Sequence, residues 1–290
     1  MTESHIHRAL HPLELQINSE SHSWPVFHWE GEGSPLFFLH GFSGGGKDAE
    51  ALAYHLGQGG DVYAVDLPGH QGTEVLPGGI DAWVHELNQV VCKLQCPGLH
   101  LCGYSMGGRL AMRMALAAPQ LFAQLTLVST TPGIVGDRAS RKAWDLSMAE
   151  KARAMPSNDF ASLWEELPIL AGVQEGPEPW GSRLAERRRF HEGPGLAQVM
   201  ETVGSGSVEP VWDVLPELTV PTLLLAGERD KKYVDIMTRM DEVLPQSTLE
   251  VVGNTGHCIH VESPSRLATA LQRRDPRSPA HSLEESLLTF

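Results

Sequence analysis

Gly103-Tyr104-Ser105-Met106-Gly107 reads G-x-S-x-G, and it lies between the apolar run Leu99-His100-Leu101-Cys102 and a helix-like stretch over residues 108–116. A strand that turns sharply into a helix holds its serine on the bend, with the hydroxyl raised above the sheet edge. Glycines on both sides make the bend possible, because a Cβ there would collide with the neighbouring strand and helix. The spacing therefore predicts a strand ending at residue 102, Ser105 on the bend and a helix after it.

Moving outward, the same alternation repeats. Continuous apolar runs at residues 36–39, 62–65, 99–102, 125–128, 222–226 and 249–252 each end in a polar or glycine-rich loop. Runs without alternation suit strands buried on both faces, as in a parallel sheet. Helical patterns lie between them near 47–57, 80–94, 105–118, 233–243 and 263–273. The expected class is α/β, a mostly parallel doubly wound sheet. Leu13-Glu14-Leu15-Gln16-Ile17 alternates at period two and is expected at an antiparallel edge beside Trp24 to Trp29. Residues 133–213 break the pattern with charged, helically spaced segments separated by Pro and Gly. They read as an inserted helical cap roofing the strand ends, where open α/β sheets bind ligands. The core is then 13–132 with 214–273, and 274–290 reads as a flexible tail.

Composition narrows the function. The 290 residues are 41% hydrophobic and 20% charged, as in ordinary globular proteins. The net charge of −14 argues against nucleic acid or an anionic membrane as partner. No apolar run approaches the roughly 18 residues of a spanning helix, and the start lacks a signal-peptide pattern. Four cysteines, Cys92, Cys96, Cys102 and Cys258, form no disulfide framework and read as reduced thiols, so a cytoplasmic setting is expected. His5, His7 and His11 read as a loose polar arm, and no metal site is expected.

A serine hydroxyl needs a histidine to take its proton, and the histidine needs a carboxylate to fix its tautomer. On this architecture the order is serine, acid, histidine. Asp230 follows the run at 222–226 and His257 follows the next, so both fall on strand-end loops at the edge that carries Ser105. Glu228, Asp213 and His260 are weaker candidates by position. Phe42, after the first parallel strand, and Met106, after the serine, are expected to offer backbone N–H groups as an oxyanion hole. His40 and His70 read as braces for their own loops, and Met112, Met114 and Leu116 as core.

On these residues the chain resembles the α/β-hydrolase superfamily over about residues 13–273. The resemblance implies the α/β-hydrolase fold with its cap. Gly103-Tyr104-Ser105-Met106-Gly107-Gly108-Arg109 and a basic cap make the chain similar, within the superfamily, to the 2-succinyl-6-hydroxy-2,4-cyclohexadiene-1-carboxylate synthases of menaquinone biosynthesis. That similarity implies a carbon–oxygen lyase that eliminates pyruvate from a small polyanionic carboxylate and needs no cofactor. It implies that Tyr104, Arg109, Arg141, Trp164 and Arg188 contact substrate. The position of Arg188 within Arg187-Arg188-Arg189 is uncertain by one residue, and the run could instead be a solvated helix face. The family's Pro-Gly-His-Gly is Pro68-Gly69-His70-Gln71 here. The residues alone leave two other readings open: a hydrolase of esters or carbon–carbon bonds using the same triad, and a binding protein on the same fold. Oligomeric state is not legible.

Overall fold

A computed structural model describes residues 11–274 of the chain. His5 and His7 of the N-terminal arm, and the tail from residue 275, lie outside the described residues.

Eight strands form one sheet: β1 (Leu13–Asn18), β2 (Ser23–Trp29), β3 (Pro35–Leu39), β4 (Asp61–Val65), β5 (His100–Tyr104), β6 (Gln124–Val128), β7 (Thr222–Gly227) and β8 (Ser247–Val252). Their spatial order is β1-β2-β4-β3-β5-β6-β7-β8. β1 and β2 pair antiparallel, as does β2 with β4, and every later pairing is parallel. The helices between are α1 (Glu50–Leu56), α2 (Gly79–Leu94) and α3 (Met106–Ala117) before β6, then α8 (Lys231–Val243), α9 (Ile259–Glu262) and α10 (Pro264–Arg274) after β7.

β3 shows why the central runs are apolar throughout. Phe37 and Leu39 join a cluster with Trp83 and Leu87 of α2 and Leu110 and Met114 of α3. Leu36 and Phe38 face the other way, against Leu52 of α1 and Leu267 of α10. With helices on both faces there is no solvent side, so no alternation is needed. β8 departs from the expectation of a fully buried run. It is the sheet edge, and its Thr248 and Val251 are exposed.

Between β6 and β7 the chain runs through α4 (Arg138–Ala154), α5 (Ser157–Glu165), the 3-10 segment Pro168–Glu175, α6 (Trp180–Arg188) and α7 (Gly193–Val203). Met148, Phe160, Leu196 and Met200 form a separate apolar cluster here, with Phe42 and Trp164 packed against it. α6 is fastened to the core by ions: Arg187 bonds Asp48 and Glu50 at 2.7 Å each, and Arg183 takes both oxygens of Glu50. Both carboxylates are buried. No helix among the described residues is long and apolar enough to cross a membrane.

Candidate active site

The G-x-S-x-G bend has the strained form that its sequence predicts. Ser105 sits at φ +50° and ψ −109°, between the last residue of β5 and the first of α3. A non-glycine residue there costs on the order of 1–3 kcal/mol, which the surroundings must offset. Three bonds do so: Ser105 N–H donates to Val128 O at 2.9 Å, and Ser105 O accepts from Arg109 N–H and the Thr130 hydroxyl. The flanking glycines are required by contact. A Cβ on Gly107 would stand 2.2 Å from Leu39 O, and one on Gly103 would stand 2.5 Å from Gly107 O.

The parallel pairing of β5, β6, β7 and β8 brings three loops to one edge. His257 Nε2 lies 3.1 Å from Ser105 Oγ, and His257 Nδ1 lies 2.6 Å from Asp230 Oδ2. His257 and Asp230 are nearly closed to solvent, with side chains 4% and 9% exposed. This geometry lets the imidazole accept the serine proton while the carboxylate holds its tautomer.

A cavity of about 650 Å³ opens above these atoms. Phe42, Tyr104, Met106, Arg109, Arg141 and Trp164 line it together with the triad. Met106 is the first residue of α3, so its N–H is one of those that a helix leaves without an internal partner. Trp164 packs its ring 4.6 Å from Phe42. The Tyr104 hydroxyl lies 2.8 Å from Cys258 Sγ, and burial holds that hydroxyl well above its usual pKa. Burial also pushes the Cys258 thiol up to about 12.

Two arginines form the cationic wall. Arg109 Nη1 donates to Ser205 Oγ at 2.7 Å and Nη2 to Val203 O at 2.9 Å, while its buried Nε has no partner. Burial lowers its guanidinium to about 10, and nearby Arg141 adds to the shift, yet it stays charged at neutral pH. Arg141 lies over the Trp144 ring and donates to Asp145 at 2.8 Å. The second oxygen of Asp145 accepts Gly206 N–H, so the Gly204–Ser205–Gly206 loop steadies both arginines.

Arg188 is placed differently from the expectation. It is absent from this lining and borders an adjoining cavity of about 170 Å³ beside Glu165. It is 5% exposed, its Nη1 is 3.9 Å from Glu165 Oε1, and its Nε has no partner. The solvated-face reading of the run also fails for two of its three members, since Arg187 pairs with buried acids and Arg188 is itself buried. His40 braces its loop as expected, with Nδ1 against Gly41 O and Nε2 accepting Leu67 N–H. His70 Nδ1 lies 3.1 Å from Pro68 O.

Sequence reasoning missed Ser205, Trp144, Lys232 and Tyr233 among the lining residues. Lys232 had a signal, because it stands two residues after Asp230, in the first turn of α8. No group of three or more potential metal ligands is assembled among the described residues.

Comparison with known proteins agrees with this geometry. Residues 36–270 match the model of the alpha/beta hydrolase family. A protein of Bacillus subtilis (strain 168), provisionally named 2-succinyl-6-hydroxy-2,4-cyclohexadiene-1-carboxylate synthase, is 32% identical over 232 residues, covering 78% of this chain and 84% of that one. The synthase of that name from Salmonella agona (strain SL483) is 28% identical over 249 residues, covering 84% and 95%. The structure of MenH from S. aureus superposes with a TM-score of 0.79 at 29% identity, covering 87% of this chain and 96% of that one.

Proposed function

The chain belongs to the α/β hydrolase family, and we propose that it is a carbon–oxygen lyase. It eliminates pyruvate from 2-succinyl-5-enolpyruvyl-6-hydroxy-3-cyclohexene-1-carboxylate to give 2-succinyl-6-hydroxy-2,4-cyclohexadiene-1-carboxylate, in menaquinone or phylloquinone biosynthesis. The observation that carries this reading is the pair Arg109 and Arg141 in one cavity with Ser105 and His257. In a protein of net charge −14, a local cationic wall above a proton-abstracting serine suits an anionic substrate. The similarity to the synthases supports the same substrate.

The chemistry needs one base and one stabilised oxyanion. His257 takes the Ser105 proton, and the serine oxygen removes the ring proton beside the succinyl ketone. The N–H groups of Phe42 and Met106 hold the enolate oxygen as charge develops. Electrons then move through the ring double bond, the carbon–oxygen bond to the enolpyruvyl group breaks, and the departing enolate takes a proton at its methylene carbon to give pyruvate. The substrate carries three carboxylates. Arg109, Arg141 and Lys232 are the cavity cations that meet them, with Trp164 and Tyr104 against the ring, while Arg229, which also lines the cavity, is held by Glu175 and Glu262. Arg188 lies outside this lining, and its charge acts on the buried Tyr104 hydroxyl and Cys258 thiol.

The test is isotopic. In water labelled with heavy oxygen, freshly formed pyruvate and ring product carry no label beyond slow ketone exchange, because elimination consumes no water. Stoichiometric incorporation, or a trapped acyl-Ser105, would replace the lyase by a hydrolase.

A further inference from the structure

We infer that Glu262 is a positioning residue for His257, and that Arg229 makes this positioning depend on how the cap is seated. The inference rests on the catalytic role of His257 proposed above, and Glu262 itself is not among the residues that line the cavity.

Glu262 ends α9, five residues after His257, and its carboxylate folds back beneath the histidine loop. Gly256 N–H donates to Oε2 at 2.6 Å and Cys258 N–H donates to Oε1 at 3.0 Å. The two peptide groups that bracket His257 are therefore held by the two oxygens of one carboxylate, whose side chain is 3% exposed. Hydrogen bonds to an ionised acceptor are roughly twice as strong as neutral ones. Two at neighbouring peptides fix the direction in which the imidazole leaves the backbone. The bonds that depend on it, 2.6 Å to Asp230 and 3.1 Å to Ser105, leave little room for drift.

Arg229 links this carboxylate to the cap. Its Nη2 lies 3.3 Å from Glu262 Oε2, and its Nη1 lies 2.5 Å from Oε2 of Glu175, the last residue of the 3-10 segment Pro168–Glu175. Its backbone N–H donates to Thr255 O, and its own neighbour is Asp230. One side chain thus stands between the acid loop, the histidine loop and the cap. The cap also presses on Glu262 directly: a Cβ on Gly172 would fall 2.2 Å from Glu262 Oε2. Gly172 and Glu175 both line the cavity, so a ligand that shifts this segment shifts the support of the imidazole.

The experiment uses the full chain and reads Ser105 labelling by a fluorophosphonate, which requires an active imidazole but not the lyase reaction. Thermal melting establishes that each variant is folded. Glu262→Gln keeps one acceptor and turns an amide N–H against the other peptide. It is expected to slow labelling by about tenfold or more, and to lower kcat in proportion while KM stays within about twofold. Glu175→Gln is expected to slow labelling only a few-fold. A residue that merely supports the fold would lower the melting temperature and leave labelling of the folded protein unchanged. Folded Glu262→Gln labelled within about twofold of the parent overturns the inference. If Glu262→Gln does not fold, Gly172→Ala gives the reading, because it pushes on the carboxylate from the cap and is expected to slow labelling in the same way; unchanged labelling there overturns the inference. A parent chain that is labelled but releases no pyruvate overturns the lyase reading alone, and a parent that is not labelled overturns the inference together with the triad.

Discussion

At the scale of single residues, the site divides into groups whose place follows from chain order and groups whose place follows from packing. Ser105, Asp230 and His257 belong to the first kind. Each lies just beyond the C-terminal end of a parallel strand, and parallel strands deliver those ends to one edge. Arg109 is nearly of this kind, since it is four residues beyond the serine on the first turn of α3. Lys232, on the first turn of α8 after Asp230, is placed in the same way, whereas Arg141 and Arg188 belong to the second. Which way a cap arginine points depends on contacts no local pattern encodes, and Arg188 accordingly borders a neighbouring cavity beside Glu165. Glu262 was illegible for the same reason, although its spacing from His257 is short, because its partners are backbone groups that acquire their positions only on folding. The carboxylate-binding role proposed for the two lining arginines gives a direct prediction. Arg109→Ala and Arg141→Ala are each expected to reduce kcat/KM by roughly 2–4 kcal/mol, because a desolvated substrate carboxylate loses its partner. Steady-state kinetics of pyruvate release measure this. Values within about twofold of the parent in both variants would remove the arginines from the substrate's contacts.

At the scale of elements, strand and helix order was readable because the buried central strands are unbroken apolar runs, and each is followed by a helix with one apolar face. The attachment of the cap was not readable. It depends on α6 presenting Arg183 and Arg187 to Asp48 and Glu50, which precede and begin α1. Gln71 adds to this seam. It takes φ +50° where the resembling family has glycine, and its N–H donates to His191 just beyond α6 while its amide donates to Arg187 O. The strain of a left-handed glutamine is thus set against two bonds that a glycine could not all make. Arg187→Ala should therefore act on stability. It leaves Asp48 and Glu50, 2% and 3% exposed at the side chain, without their shared partner. Breaking a buried pair costs on the order of 3–5 kcal/mol, and the retained Arg183 should keep the loss near the lower end. Denaturant unfolding checks this, and a midpoint unchanged from the parent would mean that the cap is held by its apolar contacts instead.

At the scale of the whole molecule, the feature that links packing to conditions is a set of buried histidines under the cap. His40, His70, His191 and His260 are 0%, 0%, 2% and 1% exposed. Burial lowers the pKa of all four, to about 4 for His191 and His260, and the neighbouring guanidinium of Arg188 adds to the shift in those two. The folded state therefore binds these protons less readily than the unfolded chain, whose histidines titrate near 6.5. Their contribution to stability is fully present above about pH 6.5 and is lost as pH falls toward 4, at up to roughly 1.4 kcal/mol per pH unit for each histidine. Asp66 acts in the opposite direction. Burial raises its carboxyl to about 7, so the folded state binds that proton more readily, and its contribution is lost as pH rises from about 4 to 7. Over the shared window four groups oppose one, and the histidines decide the sign. The melting temperature should be level from about pH 7 upward, and should fall steeply below about 6.5. A His191→Gln variant that still folds should show a shallower fall, because one of the four protons no longer discriminates between the states. Calorimetry across pH 4–8 measures both curves, and a melting temperature that holds or rises from pH 6.5 to 5 would mean that these histidines are protonated in the folded protein.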